Sequence, residues 1–223
     1  MKWTLPNTLT VLRLAAAPAF ALSFVIFTRP TADLVALVLF IFAALTDFFD
    51  GYFARLWKQE SRFGAMLDPI ADKAMVITAL AVLIGLSGLN ALILIPTSVI
   101  LFREVFVSGL REFLGDTSKT LKVTNLAKWK TTVQMVAIPV LLFAGIMEWE
   151  HEWVAMTIEP SAYDAAIRGG DDPVGVRALA NWAYFTAMSG IILIWVAAIL
   201  TAITGWDYFS KARKFLVEPE EAP

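Results

Sequence analysis

The sequence contains no cysteine and only one histidine, His151. Without cysteine the chain can form no disulfide, no catalytic thiolate and no thiolate metal site. A single histidine also excludes a metal centre or a proton relay built from several histidines.

Charge is scarce as well. The 18 Lys and Arg and the 20 Asp and Glu make up 17% of the 223 residues, whereas soluble domains have about 25%. The hydrophobic fraction is 58% and the mean hydropathy is +0.68. A net charge of −2 argues against a partner nucleic acid. The composition indicates an all-α integral membrane protein.

The uncharged runs are mostly too short to cross a bilayer, because a spanning helix needs about 20 apolar residues. A turn-like stretch at 85–90 divides the longest central run into two. Charged residues must then lie at the ends of several spans. The predicted polytopic domain, 1–223, has six helices after a short amphipathic N-terminal segment, at roughly 8–28, 32–56, 65–86, 91–114, 125–147 and 180–206.

Basic residues predict the orientation. All of the 18 Lys and Arg except Arg29, Arg168 and Arg177 fall on one side of the predicted spans. The positive-inside rule makes that side the cytosol, with both termini there. The 148–177 segment is expected to be an extracytoplasmic loop and 207–223 a cytosolic tail.

Four aspartates interrupt the second and third predicted spans. Asp47 and Asp50 are three residues apart, and Asp68 and Asp72 are four apart, so each pair shares a helix face. A short loop joins the two helices, which brings all four acids to one membrane boundary. Two divalent cations would balance their charge of −4, and carboxylate-only ligation suits Mg²⁺ or Mn²⁺. The alternative is a set of ordinary salt bridges with neighbouring Lys and Arg, which is disfavoured by the cost of charge at membrane depth.

The complete pattern is Asp-x2-Asp-Gly-x2-Ala-Arg-x8-Gly-x3-Asp-x3-Asp, from Asp47 to Asp72. It resembles the signature of the CDP-alcohol phosphotransferases. The resemblance implies six transmembrane helices, a homodimer, two metal ions held by the four aspartates at the cytosolic face, and Asp72 as the base. It also implies a CDP-diacylglycerol site formed by Asn7, Thr10, Arg13, Asp47, Asp50, Gly51, Ala54, Arg55 and Gly64.

A second set of basic residues suggests the acceptor. Arg103 and Arg111 lie two turns apart on the fourth predicted helix, and Lys128 and Lys130 open the fifth. Such a cluster suits a substrate that carries its own phosphate. The segments 5–13, 61–73, 103–112 and 128–135 resemble the bacterial branch of the family that uses glycerol 3-phosphate, which implies a multi-pass enzyme of the inner membrane. Anchoring to anionic lipid headgroups is the alternative for these cations.

Other functions stay open. A sibling transferase would use phosphatidylglycerol or inositol phosphate as the acceptor, making cardiolipin or phosphatidylinositol phosphate. A small transporter would place its ionisable groups near the bilayer midplane, between internal repeats. A lipid-binding scaffold without activity would not need the complete set of acids.

Overall fold

The computed structural model describes residues 4–57, 62–121, 125–172 and 174–216. For residues 6, 48–57, 62, 119, 120 and 125 the description covers the backbone alone. The described chain is helical and contains no β-strand. Its helices are α1 (Leu5–Ile26), α2 (Thr31–Trp57), α3 (Arg62–Leu86), α4 (Ala91–Leu114), α5 (Asn125–Thr157), α6 (Pro160–Ile167) and α7 (Val176–Ala212).

Local capping explains several helix ends. The Thr4 side chain accepts a hydrogen bond from the backbone of Asn7 at the start of α1, and Asn90 accepts one from the Leu92 amide, 2.9 Å away, at the start of α4. Gly88 and Leu89 between α3 and α4 both have positive φ, 59° and 65°, as a tight reversal of the chain requires. The turn predicted at 85–90 is confirmed.

Each of the six long helices contributes a fully buried apolar side chain to one core. These side chains are Phe20, Phe40, Leu80, Ile100, Ile138 and Ile194, from α1, α2, α3, α4, α5 and α7 respectively. Around them the buried surface is rich in alanine. Small residues let membrane helices approach closely, and the resulting van der Waals packing drives their association.

The pair α5 and α7 forms the largest helix–helix contact, and α1 packs on both α2 and α3. The contact between α5 and α7 is tight at Gly190, where an added Cβ atom would lie 2.6 Å from Leu141 Cδ2. The α4 helix completes the bundle by packing against α7.

Five helices in the described part of the chain are long and apolar enough to cross a membrane. They correspond to α1, α3, α4, α5 and α7. The α2 helix coincides with the second predicted span, and its side chains are described only as far as Asp47. The all-helical, membrane-spanning class is confirmed, and the count of six spans remains a prediction.

The expected loop at 148–177 is mostly helical. The α5 helix continues to Thr157, α6 follows at Pro160–Ile167, and α7 already begins at Val176. Charged residues end an apolar run without ending a helix, because Glu is a good helix former. The α7 helix likewise continues past the predicted end of its span, to Ala212, into the segment predicted as a tail.

No separate amphipathic helix precedes α1 within the described residues. The predicted entry segment is instead the first part of α1, which is a single helix from Leu5 to Ile26 with Pro18 inside it. Its first turns include Asn7, Thr10 and Arg13, which were predicted to bind CDP-diacylglycerol.

Candidate active site

The centre of the site is Arg13, a side chain from the middle of α1 that is only 2% exposed. Its Nη1 atom donates to Asp47 Oδ1 of α2 at 2.5 Å and also to Asp72 Oδ1 of α3. One guanidinium nitrogen thus holds two carboxylates from different helices close together. The carboxylates themselves remain about half exposed, at 48% for Asp47 and 51% for Asp72, so they face accessible space.

A second contact joins α1 to the third predicted aspartate. Thr10 Oγ1 donates to Asp68 Oδ1 at 2.8 Å. Thr10 and Arg13 are three residues apart and share a face of α1, as Asp68 and Asp72 do on α3. Asn7, one turn earlier on α1, is buried, and so is Gly64 on α3. The structure therefore brings together Thr10, Arg13, Asp47, Asp68 and Asp72 through the packing of α1 on α2 and α3.

Four of the predicted site residues lie in the part of α2 whose side chains are outside the description. These are Asp50, Gly51, Ala54 and Arg55. Their backbone continues α2 beyond Asp47. Their proposed roles remain predictions.

A cavity of about 330 Å³ lies beside these acids, between α3, α4 and α5. Asp72 forms part of its wall and connects it to the carboxylate pair. Three of the four predicted acceptor-binding cations also line it, namely Arg103, Arg111 and Lys130. The fourth, Lys128, is exposed and is not among the lining residues.

Helical periodicity explains why the two lysines differ. Residues 127, 130, 131 and 134 are spaced by three or four, so they share the face of α5 that lines the cavity. Lys128 is two positions before Lys130 and therefore points to another side of the helix. Both lysines were predicted to bind the acceptor, and the structure brings only Lys130 to the cavity.

Glu104 holds the cations in position. It forms an ion pair with Lys130 of α5, and its Oε1 lies 3.4 Å from Nη1 of the neighbouring Arg103. Its side chain is 13% exposed. Together with Lys73 and Asp72, four cations and two acids line the cavity. The excess of positive charge suits an anionic ligand.

Arg111 is held differently, since its guanidinium carbon lies 5.2 Å from the centroid of the Tyr208 ring on α7. This cation–π contact orients the side chain without neutralising it. On α3, Lys73 Nζ donates to Ser108 Oγ at 2.5 Å. This hydrogen bond links α3 to α4 next to Asp72. Lys73 also lines the cavity.

Glu104, Gln134 and Tyr208 line or support this cavity and were not predicted from the sequence. For two of them, the sequence contains a feature that could have identified them. Glu104 is an acid beside Arg103 in an otherwise apolar helix, and Gln134 lies one turn after Lys130 on α5. Tyr208 could not have been identified in this way, because nothing in the sequence indicates that α7 packs against α4.

The carboxylates fit a hard divalent cation in ligand chemistry, since oxygen donors suit Mg²⁺ and Mn²⁺. Asp47 and Asp72 contact one nitrogen atom and are therefore neighbours. No group of three or more potential metal ligands is found among the described residues, and Asp50 lies outside the described side chains.

Replacement of Arg13 by methionine should lower the thermal stability of the detergent-solubilised protein, because two adjacent carboxylates lose the cation between them. We expect a loss of about 1–3 kcal/mol, as for a hydrogen-bonded charged group that loses its partner. Lys211→Met is the matched control, since it removes an exposed pair with Asp207 that contributes about 0–1 kcal/mol. Equal melting temperatures for the two variants would contradict the central role of Arg13.

Comparison with known proteins agrees with the signature. The family model described as CDP-alcohol phosphatidyltransferase matches residues 3–160. A protein of Cereibacter sphaeroides named CDP-diacylglycerol–glycerol-3-phosphate 3-phosphatidyltransferase is 55% identical over 97% of this chain and 98% of its own. Proteins of the same name are 36% identical in Rickettsia bellii, over 95% of this chain and 96% of theirs, and 35% identical in Pectobacterium atrosepticum, over 98% and 100%. The chain with its Arg13-centred acids and adjoining basic cavity belongs to the CDP-alcohol phosphatidyltransferase family.

Proposed function

We propose that this protein transfers the phosphatidyl group of CDP-diacylglycerol to the primary hydroxyl of glycerol 3-phosphate, producing phosphatidylglycerophosphate and CMP. The observation that carries this proposal is the cavity that joins Asp72 to Arg103, Arg111 and Lys130. A carboxylate beside three cations suits an acceptor with a hydroxyl at one end and a phosphate at the other. The names of the relatives from three bacterial genera support the same reaction.

The donor would bind along the carboxylate side of the site. Thr10 and Arg13 contact the acids on α2 and α3, and Asn7 lies one turn before Thr10 on α1. Gly51, Ala54, Arg55 and Gly64 complete the proposed site by family resemblance. Small residues among them would let the diphosphate approach the helix backbone, and the acyl chains would lie in the bilayer.

Asp47, Asp50, Asp68 and Asp72 would hold two Mg²⁺ ions, or Mn²⁺, which when bound supply charge stabilisation for the phosphates of the donor. Asp47 and Asp72 are already adjacent, and Asp68 lies on the same face of α3 as Asp72. The protein residues in this set supply oxygen ligands from two helices that Arg13 holds together.

In the proposed reaction, Asp72 takes the proton from the primary hydroxyl of glycerol 3-phosphate. The hydroxyl oxygen attacks the phosphorus that bears the diacylglycerol, and the bond from that phosphorus to the bridging oxygen of CMP breaks. Arg103, Arg111 and Lys130 hold the acceptor phosphate so that the hydroxyl points to Asp72. Orientation of this kind removes much of the entropic barrier to a two-substrate reaction.

We further propose six spans, with α2 as the sixth, in the bacterial inner membrane. The charge distribution supports cytosolic termini and a cytosolic active site. Family resemblance supports a homodimer. The 148–177 segment, with α6, would lie on the extracytoplasmic side.

An acceptor panel tests the function directly. With CDP-diacylglycerol and Mg²⁺ in mixed micelles, we expect rapid CMP release with glycerol 3-phosphate and little with phosphatidylglycerol or inositol phosphate. The reason is the small cavity with three cations, which suits a compact phosphate monoester. CMP release with inositol phosphate and none with glycerol 3-phosphate would assign the chain to a sibling transferase.

Asp72→Asn should reduce turnover by about 100- to 10,000-fold, the usual contribution of a general base. The amide keeps the shape of the side chain but cannot take up the proton, so the folded protein should remain. Activity and the melting temperature should be measured together, with Asp207→Asn as the control at an exposed acid. Near-normal turnover in Asp72→Asn would contradict the assignment of the base.

Lys130→Met and Lys128→Met form a matched pair of variants. They distinguish the contribution of a lysine in the cavity wall from that of a lysine on the surface. We expect kcat/KM for glycerol 3-phosphate to fall about tenfold or more in Lys130→Met, because a charged group that contacts a ligand contributes about 1.5–3 kcal/mol. Lys128→Met should lower kcat/KM much less, because Lys128 is exposed and does not line the cavity. Equal losses in the two variants would point to general attraction by a basic surface.

A further inference from the structure

Gln134 is a buried polar residue in the wall of the basic cavity. Its side chain is 3% exposed, and its Oε1 atom has no hydrogen-bond partner among the described residues. It shares the cavity with Asp72, Arg103 and Lys130. A buried amide oxygen without a partner is unfavourable, so a group that enters the cavity is its natural partner.

The chemistry of Oε1 restricts that partner. A carbonyl oxygen accepts hydrogen bonds and does not donate them. The phosphate of the proposed acceptor is also an acceptor, so it cannot satisfy this atom. A ligand that satisfies this atom must present an O–H or N–H group.

The position of Gln134 restricts the partner further. It lies four residues after Lys130 on α5 and therefore on the same face, about 6 Å further along the helix. Lys130 lies at the level of the proposed phosphate site, with Glu104 as its ion partner. One helical turn is within the length of a three-carbon phosphate ester whose phosphate lies near Lys130.

We propose that Gln134 is a specificity-determining residue that accepts a hydrogen bond from the secondary hydroxyl of a three-carbon polyol phosphate. This inference rests on the proposed function. In that reaction the primary hydroxyl gives its proton to Asp72, which leaves the secondary hydroxyl as the donor for Oε1. The terminal amide torsion of glutamine is broad, so rotation about it can turn the oxygen toward the ligand.

The wild-type enzyme provides the first test, with 3-hydroxypropyl phosphate as the probe. This analogue keeps the phosphate and the primary hydroxyl and lacks the secondary hydroxyl. It leaves the buried oxygen without a partner, so kcat/KM should be about 5- to 150-fold lower than for glycerol 3-phosphate. Equal use of the two acceptors would overturn the proposal.

The second test is Gln134→Met, which preserves the length of the side chain and removes both polar atoms. We expect its kcat/KM for glycerol 3-phosphate to fall to the value for 3-hydroxypropyl phosphate, with little change for the analogue. An equal loss with both acceptors would show a structural role and overturn the proposal. Thr201→Val is the matched control, because Thr201 Oγ1 is also buried without a partner among the described residues and Thr201 is not among the residues that line the cavity.

Gln134→Glu carries the test if the methionine variant does not fold. It keeps two oxygen acceptors in place of the amide, so it should retain the preference for the hydroxylated acceptor, and equal use of both would overturn the proposal. Failure of the proposed function gives a different result: the wild-type enzyme would then release no CMP with glycerol 3-phosphate.

Discussion

The contact of Arg13 with Asp47 and Asp72 is the interaction on which the site depends. A guanidinium is always charged and can contact several carboxylate oxygens at once. Buried in the middle of an otherwise apolar helix, it requires anionic partners, and it finds them on two neighbouring helices. The same contacts therefore pack α1 on α2 and α3 and bring the two acids together.

Asp72 belongs to both halves of the site. Through Arg13 it is part of the carboxylate group, and through its exposed side it borders the basic cavity between α3, α4 and α5. The acidic group and the basic cavity are therefore adjacent and share Asp72. Glu104 keeps the cavity from becoming too repulsive, because it pairs with Lys130 and lies close to Arg103.

Much of the fold could be predicted because bilayer thickness and charge placement limit where spans can lie. The turn at 85–90, and with it the end of α3 and the start of α4, was predictable from glycine and asparagine in that stretch. The 148–177 segment, expected to be a loop, is mostly helical, since loss of hydrophobicity marks the end of a membrane span and not the end of a helix. The α5 helix crosses that boundary and continues to Thr157.

Composition and helix periodicity were enough to predict oxygen ligands for a metal, a shared face for each pair of aspartates, and cations on the fourth and fifth helices, because these properties are local. The contact of Arg13 with both Asp47 and Asp72, and the presence of Lys130 and Gln134 but not Lys128 in the cavity wall, became visible only in the folded structure. Such choices depend on which helix faces meet, and that is set by packing between segments far apart in the chain.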